Sequence, residues 1–401
     1  MKKIAIIGAG QAGAGAALKL RELGFEGEIT LLGDEAYPPY ERPELSKGYA
    51  LGRVAFDNLV MLTPAAAEEK AIDLRLDCRV RRIDRAARVI ETDAGDLSYD
   101  MLILATGGAA KRLPLPEPLR RKTHSIRTRD DVDALRNALP EARSVVVIGG
   151  GWLGTEAAIT ARALCPQVDL IEVAPRLCAR VAPSWLSDRL SETQMRAGVT
   201  LHLGAVPVFA EDGTISVGGT RLAPDLMIEA IGMRAMDELA VSAGLACDDG
   251  VLVSPQGQTE DPAVFAIGDC ARLATGEQAR RESWQYANQS AEDVARLLTG
   301  QIARMQEPDW FWSTQADFKV QMLGSCPDEA VQLERVGPRG GVSRLFLKGA
   351  RLVGCVAINN PREIAEARRV IASRQAIDSE RARDGMVPLS RCIVDAREAV
   401  R

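Results

Sequence analysis

Six glycines carry the strongest chemical signal in this chain of 401 residues. Residues 3–20 read KIAIIGAGQAGAGAALKL and residues 144–161 read SVVVIGGGWLGTEAAITA, so Gly8, Gly10 and Gly13 recur as Gly149, Gly151 and Gly154 at a constant offset. In each copy a β-branched run without alternation precedes the glycines, as suits a strand buried on both faces of a parallel sheet. The first glycine allows a tight turn, the second lets the backbone approach a pyrophosphate, and the third lets the next helix pack closely on the strand. The pyrophosphate then meets a helix N-terminus, where free N–H groups and the dipole favour negative charge. Each motif is followed by a second apolar run that ends in an acid, Asp34 in the first copy and Glu172 in the second. A carboxylate at that distance accepts hydrogen bonds from ribose hydroxyls.

Two such devices imply two dinucleotides, and a tightly held FAD with an exchanging nicotinamide makes chemical sense of the pair. Glu172 argues for NADH, because a carboxylate repels the 2′-phosphate of NADPH; Arg176 is a nearby cation that argues the other way. Only His124 and His202 are present, so redox chemistry has to come from a bound cofactor.

The elements that position these residues can be followed along the chain. Residues 97–108 read as an apolar strand ending in Thr106-Gly107, where the chain leaves the first domain. The proline-rich stretch 113–118 reads as a linker into the second. A matching strand and turn at 226–232 ends in Ile231-Gly232, and the chain leaves the second domain there. A short apolar strand then ends in Gly268-Asp269, placing a carboxylate at the carboxyl edge of a sheet, where ligands of such sheets bind. Ser283-Trp284 precedes a helical pattern over 286–298, and the cluster Trp310-Phe311-Trp312 opens a final segment of mixed character. The expectation is an α/β protein with two Rossmann-like FAD/NAD(P)-binding domains and a C-terminal α+β domain. The expected boundaries are 1–112 with 237–307 for FAD, 113–236 for NADH, and 308–401 for the last domain.

Composition narrows the class. A net charge of −5 makes nucleic acid a poor partner. No room precedes the first strand for a signal peptide, and no apolar run approaches the roughly 18 residues that span a bilayer, so a soluble cytoplasmic protein is expected. The eight cysteines, at 78, 165, 178, 247, 270, 326, 355 and 392, are scattered without a Cys-x-x-Cys pair, so no metal site is expected.

Together these residues resemble the NADH-dependent ferredoxin reductases of bacterial oxygenase systems, among them those that feed aromatic-ring dioxygenases in aromatic hydrocarbon catabolism. The resemblance covers essentially the whole chain and implies a glutathione-reductase-type fold. Its most specific piece is residues 39–47, PYERPELSK, close to the family's P-Y-x-R-P-P-L-S-K. It implies that Lys47 lies beside the reactive N5 edge of the flavin and that Arg42 is a further FAD contact. Ala12, Asp34, Val80, Thr106, Gly107, Arg127, Gly268, Asp269, Ser283 and Trp284 are expected to complete the FAD site. Trp152, Leu153, Glu172, Ile231 and Gly232 are expected to line the NADH site with the second set of glycines. Glu156 matches the acid expected near the nicotinamide carboxamide, and Trp312, in DWFWSTQ, is expected near the flavin. Glu44, Ala235, Thr314 and Ala316 depart from the family pattern.

The activity implied is that of a ferredoxin–NAD(+) reductase: hydride from NADH to flavin N5, then single electrons to a [2Fe-2S] ferredoxin. Because ferredoxins are usually acidic, Arg280 and Arg281 are expected to form part of the docking cluster. A monomer and a homodimer are both compatible with the sequence. Two other readings remain: an NADH oxidase or disulfide reductase, which needs a cysteine that residues 35–60 lack, and a redox-sensing flavoprotein of the apoptosis-inducing-factor type.

Overall fold

The computed structural model describes residues 2–275, 280–305 and 307–394. Residues 276–279 and 306 of the expected FAD domain, and 395–401 of the expected C-terminal domain, lie outside the described residues. The chain forms two compact units, one of residues 1–44, 53–110 and 233–305, the other of residues 45–52, 111–232 and 306–401.

The first unit is organised by a five-stranded sheet, in the order Val264–Ala266, Met101–Leu104, Lys3–Ile7, Glu28–Leu32, Ile72–Arg75, with every neighbouring pair parallel. The strands Val264–Ala266 and Met101–Leu104 are wholly apolar, and Lys3–Ile7 is apolar after its first residue, because both faces are covered; the edge strand Ile72–Arg75 carries Asp73 and Arg75. Ile4, Ile6, Ile29 and Leu31 face the helices Gln11–Glu22 and Trp284–Leu298 in one buried cluster. Ala5, Ile7, Leu32, Leu102 and Leu104 face a second cluster with Ile83, Ile90 and Tyr99. Alanines at 14, 16 and 17, all fully buried, bring the first helix close to its neighbours.

The second unit repeats the plan. Val199–Leu203, Gln167–Glu172, Ser144–Ile148, Leu226–Glu229 and Thr123–His124 form a second parallel sheet in that order. The helix Trp152–Arg162 follows the strand Ser144–Ile148, as Gln11–Glu22 follows Lys3–Ile7. The proline-rich stretch 113–118 is not a free linker: Leu115 is buried with Val146, Ile148 and Met227, so it lies against this sheet. The C-terminal segment is an antiparallel sheet in the order Trp310–Gln315, Phe318–Gly324, Arg351–Ile358, Val342–Lys348, Val331–Val336, backed by the helix Pro361–Ser373. The strand Trp310–Gln315 packs on the helix Trp152–Arg162.

Candidate functional site

The six motif glycines divide into three structural roles, alike in both copies. Gly8 and Gly149 hold φ of +110° and +105°, which favours glycine. A Cβ on Gly13 would lie 1.9 Å from the carbonyl oxygen of Gly8, and one on Gly154 would lie 1.8 Å from that of Gly149. These four build the turns. Gly10 and Gly151 differ: among the described residues a Cβ there would meet nothing within 4 Å. Each of these two is the N-cap of its helix, with no side-chain cap and no acid in the first turn. Fold geometry does not demand glycine at either position, but close approach of a phosphate does. The two cradles therefore fit the pyrophosphates of FAD and NADH.

Around the first cradle the first unit gathers several expected residues. A Cβ on Gly268 would lie 2.8 Å from the Cβ of Ala12, so Asp269 follows a turn pressed against the start of the first helix. The guanidinium of Arg42 lies 2.5 Å from Glu35, and Tyr40 Oη donates to the same carboxylate at 2.6 Å. Burial opposes the charge on Arg42, but Tyr40, Glu35 and Asp269 hold its pKa above the ordinary guanidinium value. Asp34 is exposed just past the strand Glu28–Leu32, and Val80 begins the strand Val80–Asp84. Thr106 Oγ1 donates to the carbonyl of Met236, and Gly107 has φ of +70°. Ser283 Oγ accepts from the backbone N–H of Tyr286, capping the helix that Trp284 opens, so its side chain has a local structural role. Lys47 and Arg127 belong to the second unit.

In the second unit, Glu172 Oε2 accepts from the Gly150 N–H at 2.5 Å, and Oε1 accepts from the Ala174 N–H at 2.7 Å. The acid thus clamps the glycine turn, a role invisible in the sequence, and keeps lone pairs for ribose hydroxyls. Arg176 is already engaged: it donates to the carbonyls of Ala182 and Ala179 and to Ser187 Oγ, and lies 3.8 Å from Asp328. Trp152 and Leu153 open the helix after Gly151, and Ile231-Gly232 turns at φ of +98° beyond the strand Leu226–Glu229. Consequently NADPH should react at least about 100-fold less efficiently than NADH, since roughly 2.7 kcal/mol of charge repulsion suffices. Glu172→Ala should recover only part of that gap, because Arg176 is not free to bind the phosphate. Comparing kcat/KM for both nucleotides in both proteins checks this.

The centre of the second unit's site is the Glu156 carboxylate, on the helix Trp152–Arg162. Lys47 Nζ lies 2.8 Å from Oε2, with side chains only 14% and 7% exposed. Ser46 Oγ donates to Oε2 and Ser313 Oγ to Oε1, both at 2.6 Å. The Lys47 loop is held to the unit by Thr160 Oγ1, which donates to the Ser46 carbonyl, and by Tyr49 Oη, which donates to Asp133. Side-chain alternation along Trp310–Gln315 sends Ser313 and Gln315 to the buried network, while Trp310 and Trp312 stack 4.8 Å apart. Phe311 packs at 4.8 Å on Trp152. Lys47 and Glu156 are thus joined, as neither motif alone required. Ser46, Ser313, Gln315, Thr155 and Gln194 escaped the sequence reading; the alternation in WFWSTQ was the signal available for two of them.

One expectation about charge changes. Arg280 is only 4% exposed in its side chain and is neutralised by Asp249 and Glu282, so it is no docking residue. Cys78 is buried in the loop between the strands Ile72–Arg75 and Val80–Asp84. Burial, with Glu156 and Glu172 adding to it, pushes the Cys178 thiol up to about 12. Burial likewise pushes Cys326 to about 12 and Cys247 to about 11. At pH 8 the thiolate fraction at Cys247 is therefore about two orders of magnitude below that of a free cysteine. Alkylation at that pH should be correspondingly slow, and iodoacetamide treatment should leave NADH oxidation unchanged; mass-spectrometric labelling with parallel rate assays checks both. Among the described residues no helix is long and apolar enough to cross a membrane.

Comparison with known proteins agrees with this geometry. Residues 2–291 match the pyridine nucleotide-disulphide oxidoreductase family, and residues 310–393 match the reductase C-terminal family. The chain is 37% identical over 401 residues to the ferredoxin–NAD(+) reductase component of the p-cumate 2,3-dioxygenase system of Pseudomonas putida, covering 98% of this chain and 99% of that one. It superposes on the ferredoxin reductase of the CYP199A2 system from Rhodopseudomonas palustris with a TM-score of 0.91, at 32% identity, covering 98% and 100%. For putidaredoxin reductase in its covalent complex with putidaredoxin the TM-score is 0.89, at 31% identity and 98% coverage of both chains. The fold is thus α/β, with two dinucleotide-binding domains of glutathione reductase type and a C-terminal α+β domain. The chain belongs to the pyridine nucleotide-disulphide oxidoreductases and, within them, to the ferredoxin–NAD(+) reductases of oxygenase systems.

Proposed function

We infer that this protein is an FAD-dependent NADH:ferredoxin reductase that passes electrons to the [2Fe-2S] ferredoxin of an oxygenase. The observation that carries the reading is the pair of open glycine cradles, combined with a buried Lys47–Glu156 pair where disulfide reductases need a thiol. When bound, FAD supplies what side chains lack: acceptance of a hydride at N5 and release of the electrons one at a time. Gly8, Gly10, Ala12, Gly13, Asp34, Arg42, Val80, Thr106, Gly107, Arg127, Gly268, Asp269, Ser283 and Trp284 would hold it. Gly149, Gly151, Trp152, Leu153, Gly154, Glu172, Ile231 and Gly232 would hold NADH. Glu156 would orient the nicotinamide carboxamide, Lys47 would set the charge near N5, and Trp312 would stand by the flavin.

On this reading residues 1–112 with 237–307 serve FAD, 113–236 serve NADH, and 308–401 complete the protein. It acts in the cytoplasm as a monomer or homodimer, without nucleic acid.

Anaerobic stopped-flow mixing tests the assignment. NADH should bleach the flavin rapidly, and a [2Fe-2S] ferredoxin should reoxidise it. Faster reoxidation by a peroxide or a disulfide would move the protein to the oxidase or disulfide reductase class.

A further inference from the structure

The hydrogen bonds behind Glu156 form a chain with one direction. Gln194, on the helix Ser184–Arg196, donates from Nε2 to the backbone carbonyl of Thr155 at 2.9 Å. A carbonyl only accepts, so this contact fixes which end of the amide faces it. The other Nε2 proton goes to Gln315 Oε1 at 2.8 Å, which obliges Gln315 to turn its own NH2 the other way. That NH2 donates to Thr155 Oγ1 at 2.9 Å and lies 3.4 Å from Ser313 Oγ. Thr155 Oγ1 spends its proton on the carbonyl of Trp152 and can only accept from Gln315. Ser313, accepting from Gln315, is left to give its single proton to Glu156 Oε1 at 2.6 Å. Thr155, Gln194, Ser313 and Gln315 are all buried, and Gln194 Oε1 has no hydrogen-bond partner among the described residues. Burial makes each of these hydrogen bonds costly to break.

We propose that Gln315 is a positioning residue for hydride transfer, acting through the Ser313 hydroxyl to hold the Glu156 carboxylate, with Gln194 setting the direction of its amide. The inference rests on the reading of Glu156 and Lys47 as the pair at the nicotinamide. It adds that a strand of the C-terminal segment, carrying Trp312 on its other side, determines how that pair is held. Hydrogen-bonded partners of metal ligands change activity by about ten- to a hundredfold when removed, and an effect of that order is expected for this carboxylate.

The test compares Gln315→Leu, Gln315→Glu and Ser313→Ala with Glu156→Gln, in flavin-loaded protein. The readouts are the limiting rate of flavin bleaching by NADH, the apparent dissociation constant for NADH, and their dependence on pH from 5.5 to 9. Gln315→Leu and Ser313→Ala should lower the limiting rate about tenfold and leave the dissociation constant within about threefold. Gln315→Glu should be slow at high pH and recover toward the wild-type rate at low pH. There the protonated carboxyl can again donate to Ser313, whereas the ionised one cannot and also faces Glu156. The thermal midpoint of the same variant without flavin should fall as pH rises relative to the wild type. A carboxyl with a raised folded-state pKa contributes stability only while it is protonated. Wild-type rates in all three network variants, with Glu156→Gln slow, would overturn the proposal and leave the site intact. A Gln315→Glu rate with no pH recovery would also overturn it. A wild-type rate in Glu156→Gln would instead remove the site reading itself. If Gln315→Leu fails to fold, Ser313→Ala and the pH profile of Gln315→Glu still decide the question.

Discussion

Protein carrying Gly10→Val is expected to purify folded but colourless. The backbone at Gly10 sits at φ −87° and ψ −164°, a conformation open to any residue, and among the described residues a Cβ there meets nothing within 4 Å. The polypeptide should therefore tolerate the side chain at a cost of no more than about 1 kcal/mol, that of a poorer N-cap. The cofactor should not tolerate it, because the added methyls occupy the space from which a pyrophosphate meets the helix N-terminus. A rise of at least about 100-fold in the FAD dissociation constant is expected, equivalent to about 2.7 kcal/mol. Titrating flavin-free protein with FAD, alongside thermal unfolding, measures both quantities. Gly13→Ala makes the opposite control, since its Cβ would fall 1.9 Å from a backbone oxygen and damage the fold itself. Stoichiometric flavin in the Gly10→Val protein would place the cofactor elsewhere.

The second large effect concerns the buried ion pair. Glu156→Ala leaves the Lys47 ammonium, 14% exposed, without its carboxylate, and leaves the hydroxyls of Ser46 and Ser313 without their acceptor. Removing one partner of a buried pair costs about 3–5 kcal/mol, more than the pair contributes relative to an apolar replacement. Glu156→Gln keeps the volume and some hydrogen bonds while removing the charge, so it isolates the electrostatic part. Its limiting rate of flavin reduction by NADH should fall by about one to two orders of magnitude. A matched loss in Lys47→Gln, and no further loss in the double variant, would show the two acting as a unit. Additive losses would mean that each residue acts alone.

Both expectations start from residues that could be read in the sequence, but to different depths. The roles of the glycines are backbone roles, encoded within a dozen neighbouring residues, so KIAIIGAGQAGAGAALKL and SVVVIGGGWLGTEAAITA by themselves disclose the cradles. The apolar runs likewise announced strands covered on both faces, because alternation disappears when each face has its own layer. The lack of a cysteine in residues 35–60 counts against a disulfide reductase on chemical grounds.

What the sequence by itself determined was therefore the number and kind of nucleotide cradles, the strand and helix that flank each, and the candidates Lys47 and Glu156. Tertiary structure alone decided how those candidates are held. Ser46, Glu156, Gln194 and Ser313 come from segments far apart in the chain, and nothing local marks a serine or glutamine as the donor to a carboxylate 110 or 157 positions away. The same holds for Arg176 and Arg280, whose charges looked available in sequence and are spent on carbonyls and carboxylates in the fold. Backbone recognition is written locally because it needs only φ, ψ and the absence of a Cβ. Side-chain networks are not, because each hydrogen bond depends on where the chain has returned in space.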